Sequence, residues 1–181
     1  MITPLTTSQL TLRRFRPDDG ADLYEYLSDP RTYRFEPGEP LDRAQAGQCA
    51  AEMAASPDFW AVELNASGRV IGQIYLKQIE PPEYLTCELG YIMSPAYQHQ
   101  GYGAEASAAL VRQALTAGGM HRIVAHCNPE NIASWRLLEK LGFRREALHR
   151  QDIFFRRDAA GAPLWTDTYV YALLAADRNW T

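Results

Sequence analysis

SPAYQHQGYGAEA, residues 94–106, is the stretch on which the reading of this 181-residue chain turns. A strand ends at Pro95 and a helix begins just past Gly103, and the turn between them carries Gln98, Gly101 and Gly103 as Q-x-x-G-x-G. Glycine has no Cβ, so an anion can approach its backbone closely. Successive amide N–H groups at a helix start, with the positive end of the helix dipole, then bind phosphate without basic side chains. Competing nucleotide fingerprints fit worse. A dinucleotide turn needs a third glycine where Ala106 stands, and an acid about 20 residues on, where Met120 to Cys127 offers none. A P-loop needs G-K-[S/T], which the chain lacks. Glycines at a strand-to-helix turn also serve sterics alone, so the turn by itself admits both readings.

Upstream, Tyr84 to Met93 reads as a strand, and Phe59 to Leu64 and Val70 to Ile79 form a hairpin about Asn65-Ala66-Ser67-Gly68. Thr7 to Phe15 alternates as a strand; a helix starts at Pro17-Asp18-Asp19 and stops at Pro30, and Leu41 to Ala55 is a second helix started by Asp42. Downstream, Gly103 to Ala117 is a helix with the stripe Leu110, Val111, Ala114 and Leu115, followed by a buried strand at Ile123 to Cys127. The next helix is expected to begin at Asn128 as N-cap, with Pro129 in its first position and Gly142 as its stop. Two strands, Phe143 to Phe155 and Leu164 to Leu174, flank a loop at Arg156 to Pro163. With no repeat and no dividing linker, this order predicts one domain over residues 1–181, an α/β sandwich around one mixed sheet.

Composition narrows the function. A net charge of −4 argues against a nucleic-acid partner, and the basic pairs Arg13-Arg14, Arg144-Arg145 and Arg156-Arg157 read as solvated faces. Apolar runs such as Ile71 to Leu76 are broken early, far short of the roughly 20 residues a membrane span needs, so no membrane partner is expected. The N-terminus lacks the basic start and apolar core of a signal peptide. Cys49, Cys87 and Cys127 form no CxxC pair and suit a reducing, cytoplasmic compartment. The histidines His99, His121, His126 and His149 lack metal-ligand spacing, so no metal is expected. Cys127 reads as buried filler, because its neighbour His126 would face the other way on a strand.

Taken in order, LTLRR (10–14), VIGQIY (70–75), ELGY (88–91), QHQGYG (98–103), NPENIAS (128–134) and EKLGF (139–143) resemble the GNAT superfamily of N-acetyltransferases over almost the whole chain. Within it they are similar to the RimJ/RimL-like branch, which acetylates ribosomal-protein N-termini. The resemblance implies a mixed, mostly antiparallel sheet of about seven strands, with helices on both faces and a splayed parallel pair. It implies acetyl-CoA as cosubstrate, its pantetheine arm pairing with the backbone of Ile92, Met93 and Ser94. Its pyrophosphate is expected over Gln100, Gly101, Tyr102, Gly103 and Ala104, with Gln98, Asn128 and Asn131 completing the cofactor site.

Ser134 matches the position that assists the departing thiolate, and Asn131, three residues earlier, shares its helix face. Read without the family, both are first-turn polar residues offered to free amides. The tyrosine that many members carry four residues before the glycine of the GF pair is here Leu138, which donates no proton. Tyr91 and Tyr102 offer hydroxyls but read as packing residues. Glu88 is the expected base for the acceptor, a protein N-terminus or a small amine, directly or through a water; a carboxylate at that strand position equally serves to orient the substrate. The loops Tyr33 to Pro40 and Arg156 to Pro163, with Gln73 and Tyr75, are expected to border the acceptor. A non-catalytic acyl-CoA sensing module on the same fold is the rival reading, supported by Leu138. Aromatic strands near the C-terminus leave room for a homodimer.

Overall fold

The computed structural model describes residues 3–177; residues 1–2 and 178–181 of the expected domain lie outside them. The strands are β1 (Leu5–Thr6), β2 (Leu10–Arg13), β3 (Phe59–Leu64), β4 (Val70–Gln78), β5 (Thr86–Met93), β6 (Arg122–Cys127), β7 (Arg144–Ile153) and β8 (Thr166–Leu174). The α-helices are α1 (Gly20–Leu27), α2 (Arg43–Ala55), α3 (Tyr102–Leu115) and α4 (Ile132–Lys140). All eight described strands join one sheet in the order β1-β2-β3-β4-β5-β6-β8-β7. Only β5 and β6 run parallel, and α3 makes the crossover that a parallel pair requires. The strand beyond the expected seven is β1, a two-residue piece held by Leu5↔Leu12 and too short for a periodic signal.

Alternation along the strands sends side chains into two helical layers. Trp60 and Val62 of β3 join Leu110 and Val111 of α3 and Leu138 of α4 on one face. Ala61, between them, joins Leu23 and Tyr26 of α1 and Ala46 and Ala50 of α2 on the other. The helix expected to start at Asn128 begins instead at Ile132. Asn131 is its N-cap, its side chain accepting from the Ser134 amide at 3.2 Å, while Asn128 accepts from the Glu130 amide at 2.8 Å in the preceding turn. Two asparagines, Asn128 and Asn131, lie three positions apart there, and the proline after Asn128 favoured the wrong cap.

Arg13, Arg14 and Arg156 are engaged by the protein rather than standing on a solvated face. Arg13 is 6% exposed and forms a fork with both carboxylate oxygens of Asp19 (2.7 and 2.8 Å), its Nε meeting Glu63 at 2.5 Å. These contacts raise its pKa further, chiefly through Asp19. Arg14 lies over the Trp60 ring at 4.1 Å. Arg156 donates to the Tyr33 carbonyl at 2.6 Å, joining two loops far apart in sequence. Removing one partner of a buried ion pair strands the other charge. Asp19→Ala should therefore lower unfolding stability by about 3 kcal/mol. Glu63→Gln, whose side chain is 21% exposed, should cost less; urea denaturation of the two variants reads the difference.

Candidate active site

The pairing of β5 with β6 covers Thr86↔Arg122, Cys87↔Ile123 and Glu88↔Val124 and then stops. Beyond Glu88, β5 continues to Met93 against β4 alone, and β6 continues to Cys127 against β8 alone. A cavity of about 170 Å³ adjoins this divergence. Its walls come from Leu89, Gly90 and Tyr91 of β5, Ala125, His126 and Cys127 of β6, and Asn128, Asn131, Ser134 and Leu138 on the way into α4. Phe35 and Glu36 from the loop after α1, with Ile153, Phe155 and the start of β8, complete it.

The strand edge from Leu89 to Met93 has no strand beside it on the β6 side, so an extended ligand can pair there. Gly101 is the N-cap of α3, with φ +89° and no side-chain cap, leaving the first-turn amides of Tyr102, Gly103 and Ala104 to an anion. A Cβ built on Gly101 would stand in open space, whereas one on Gly103 would meet Leu137 and Met93 at 3.3 Å. The two glycines thus divide the work: Gly101 keeps the cradle open, and Gly103 packs α3 against β5 and α4. Gln98 and Gln100 brace the turn, donating to the carbonyls of Met93 and Ala96 at 3.0 Å each. Residues present therefore suit a diphosphate carried on an extended arm. Ile92 packs into the α1–α2 layer, and buried Ser94 donates its amide to Ile71 at 2.9 Å, fixing the end of β5.

Titratable groups converge on the cavity. Glu88 and His126 meet across the two strands, Oε1 to Nδ1 at 3.0 Å. The hydrogen bond lowers the carboxyl below its ordinary 4.5 and raises the imidazole above its ordinary 6.5. His126 lines the cavity. Ser134 Oγ stands 3.0 Å from the Tyr91 hydroxyl, which also reaches the Ser134 carbonyl at 3.1 Å. Burial pushes the Cys127 thiol up to about 11 and the Glu36 carboxyl up to about 7.

A family profile for the acetyltransferase (GNAT) domain matches residues 9–144. The chain belongs to the GNAT acetyltransferase family. It is an acetyl-CoA-dependent acyltransferase. The chain is 31% identical over 177 residues to an uncharacterized N-acetyltransferase, YnaD, of Bacillus subtilis, covering 97% of this chain and 99% of that one. It is 24% identical to the [ribosomal protein uS5]-alanine N-acetyltransferase of Escherichia coli, covering 98% and 92%. The crystal structure of a GNAT-family acetyltransferase from Bacillus anthracis superposes with a TM-score of 0.85 at 26% identity, covering 96% and 99%.

Within this GNAT chain, Leu138 is core, 1% exposed, and the Tyr91 hydroxyl stands against Ser134 instead. Three cavity residues escaped the sequence reading. His126 is paired with Glu88 by a parallel register that no local pattern reveals. Tyr91 gives no sign in sequence of facing a hydroxyl 43 residues away. Glu36 lay within a loop expected at the acceptor, and the apolar residues of that loop were the available hint. Conversely, Gln73 is 7% exposed and accepts from the Tyr26 hydroxyl at 2.9 Å, and Tyr75 stacks on Phe59 at 5.3 Å. Neither lines the cavity. Among the described residues no three metal-binding side chains converge, and no helix is long and apolar enough to cross a membrane.

Gly101→Ala tests the cradle directly. Forcing a Cβ into the left-handed region should cost about 1 kcal/mol of stability. The added methyl should weaken coenzyme A binding at least tenfold, read by calorimetric titration.

Proposed function

We propose that this chain transfers acetyl directly to a primary amine, a protein N-terminus or a small-molecule amine, in a ternary complex without an acyl-enzyme. The carrying observation is that a proton acceptor, His126, and a hydroxyl donor, Ser134, line one cavity beside a diverged strand pair. Residues Ile92, Met93 and Ser94 hold the pantetheine arm by backbone, Gln100 to Ala104 hold the pyrophosphate with Gln98 as brace, and Asn128 and Asn131 border the arm. Acetyl-CoA supplies the thioester whose carbonyl the amine attacks, so that the amide forms as the C–S bond breaks.

An acceptor amine is mostly protonated at neutral pH and must lose that proton. The hydrogen bond lowers the Glu88 carboxyl and raises the His126 imidazole, which favours the imidazole as the proton's acceptor. We assign the proton to His126 Nε2, with Glu88 fixing the tautomer through Nδ1. Ser134 donates to the departing sulfur and is resupplied by the Tyr91 hydroxyl. The raised Cys127 thiol stays protonated, which supports direct transfer over a cysteine route. Kinship with the uS5-alanine enzyme supports the RimJ/RimL-like branch. The reading extends to one catalytic domain in the cytoplasm, where Cys49, Cys87 and Cys127 stay free, and to a homodimer formed through the exposed edge strand β7.

Incubation with acetyl-CoA and a panel of peptides and amines should release free thiol and give an acetylated acceptor by mass spectrometry. Coenzyme A binding without thiol release from any amine would refute transfer, and a persistent acetyl group on Cys127 would refute the direct route.

The pH profile carries its own sign. His126 must be neutral to act and its pKa is raised, so kcat/KM should climb as pH passes above 6.5. Glu88→Gln removes the carboxylate that raises it. That limb should move down by up to about one pH unit while kcat falls about tenfold. Ser134→Ala should slow the single-turnover step about tenfold with coenzyme A affinity intact. An unmoved limb removes Glu88 from the mechanism, and an unaltered single turnover removes Ser134.

A further inference from the structure

Glu36 sits where a carboxylate is costly. It lines the cavity from the loop after α1, as do Phe35 of its own loop and Phe155 from beyond β7. Among the described residues no hydrogen-bond donor or cation engages its side chain. Other acids that lie partly buried are occupied in the examples of Asp19, which holds Arg13, Asp22, which accepts from Arg69 and the Val70 amide, and Glu105, which gathers Thr7, Ser8 and Gln9. An ionised carboxylate without a counter-ion is unfavourable away from water, and burial accordingly pushes this carboxyl up to about 7. A cation entering the cavity would relieve that cost.

The other charged lining residues are as telling. Asp167 also lines the cavity, its Oδ1 accepting from the Gln151 amide at 2.9 Å. Neither lysine nor arginine lines it. Arg156, adjacent to Phe155, is drawn away to the carbonyls of Phe155 and Tyr33 at 3.0 and 2.6 Å. An incoming carboxylate would meet two acids of its own sign, and the imidazole of His126, which could offset them once protonated, is already engaged by Glu88.

From this juxtaposition, and resting on the acetyl-transfer reading above, we infer that Glu36 selects the acceptor: it binds the incoming ammonium and restricts the enzyme to amines that carry no carboxylate beside the reacting nitrogen. The chemical class is an amide-blocked α-amine or an alkylamine, and free amino acids are excluded. Glu36 thereby receives the ammonium, and His126, on the β6 wall, takes the proton from it. The two acidic and basic groups act in succession.

The test measures binding rather than turnover. Coenzyme A-loaded protein is titrated at about pH 7, where alanine and alaninamide are both largely ammonium ions, and binding is followed by calorimetry. Alaninamide should bind at least tenfold more tightly than alanine. Glu36→Gln should weaken alaninamide at least tenfold, leave alanine unchanged and retain wild-type coenzyme A affinity, which reports a folded protein. Glu36→Asp, with the charge kept on a shorter arm, should restore part of the loss. Equal binding of the two amines, absence of alaninamide binding, or a Glu36→Gln protein that holds alaninamide as the wild type does would each overturn the inference. Parallel titrations of 1,4-diaminobutane and a short alanine-initiated peptide distinguish a small amine from a protein N-terminus. A protein that bound alaninamide but released no thiol would sink the transfer reading and leave this one standing.

Discussion

Backbone amides and carbonyls must be paired, and β5 loses its β6 partner after Glu88 while the chain still runs five residues further. Everything functional follows from that unpaid edge. An extended ligand can complete the ladder, the gap beside it becomes the cavity, and the same divergence aims the first turn of α3 across the end of the strand. The sheet tolerates the split because each strand keeps its outer neighbour, β4 for β5 and β8 for β6. Layers on both faces then hold the halves in register: α3 and α4 below one, α1 and α2 over the other.

Charge placement divides the molecule into two regimes. At Arg13 a buried cation is fully satisfied by Asp19 and Glu63, a structural use of charge. Around the cavity the ionisable groups are only partly satisfied. Glu88 and His126 are about two-fifths exposed and paired with each other, so their attraction adds little to stability. That pairing nonetheless sets a proton affinity, which is where a half-exposed contact matters most. It is also strongest between the ordinary carboxyl and imidazole values of 4.5 and 6.5, fading as either partner loses its charge.

Sequence carried the fold a long way. Periodicity gave the helices to within a few residues, and the capping box at Asp42 and Gln45 shows why α2 was legible: its signal is local. The Q-x-x-G-x-G turn was equally legible for the same reason. What escaped was non-local. Arg13 looked solvated because its two partners come from a turn and from a neighbouring strand. His126 looked idle because its partner lies 38 residues away across a parallel register. Glu36 had no pattern to announce it, since what distinguishes it is a partner it lacks. The helix start misread at Asn128 is a local failure, caused by two competent caps, Asn128 and Asn131, in close succession.

Arg156 gives the acceptor side a further property. Its guanidinium ties the β7–β8 connection to the Tyr33 carbonyl, 123 residues earlier in the chain. Two segments that would otherwise drift separately are thereby one mechanical unit, with Glu36 three residues from the knot. A lengthened β7–β8 connection would drag the selecting carboxylate with it, so changes of acceptor in such a protein can originate at Arg156, which does not itself line the cavity.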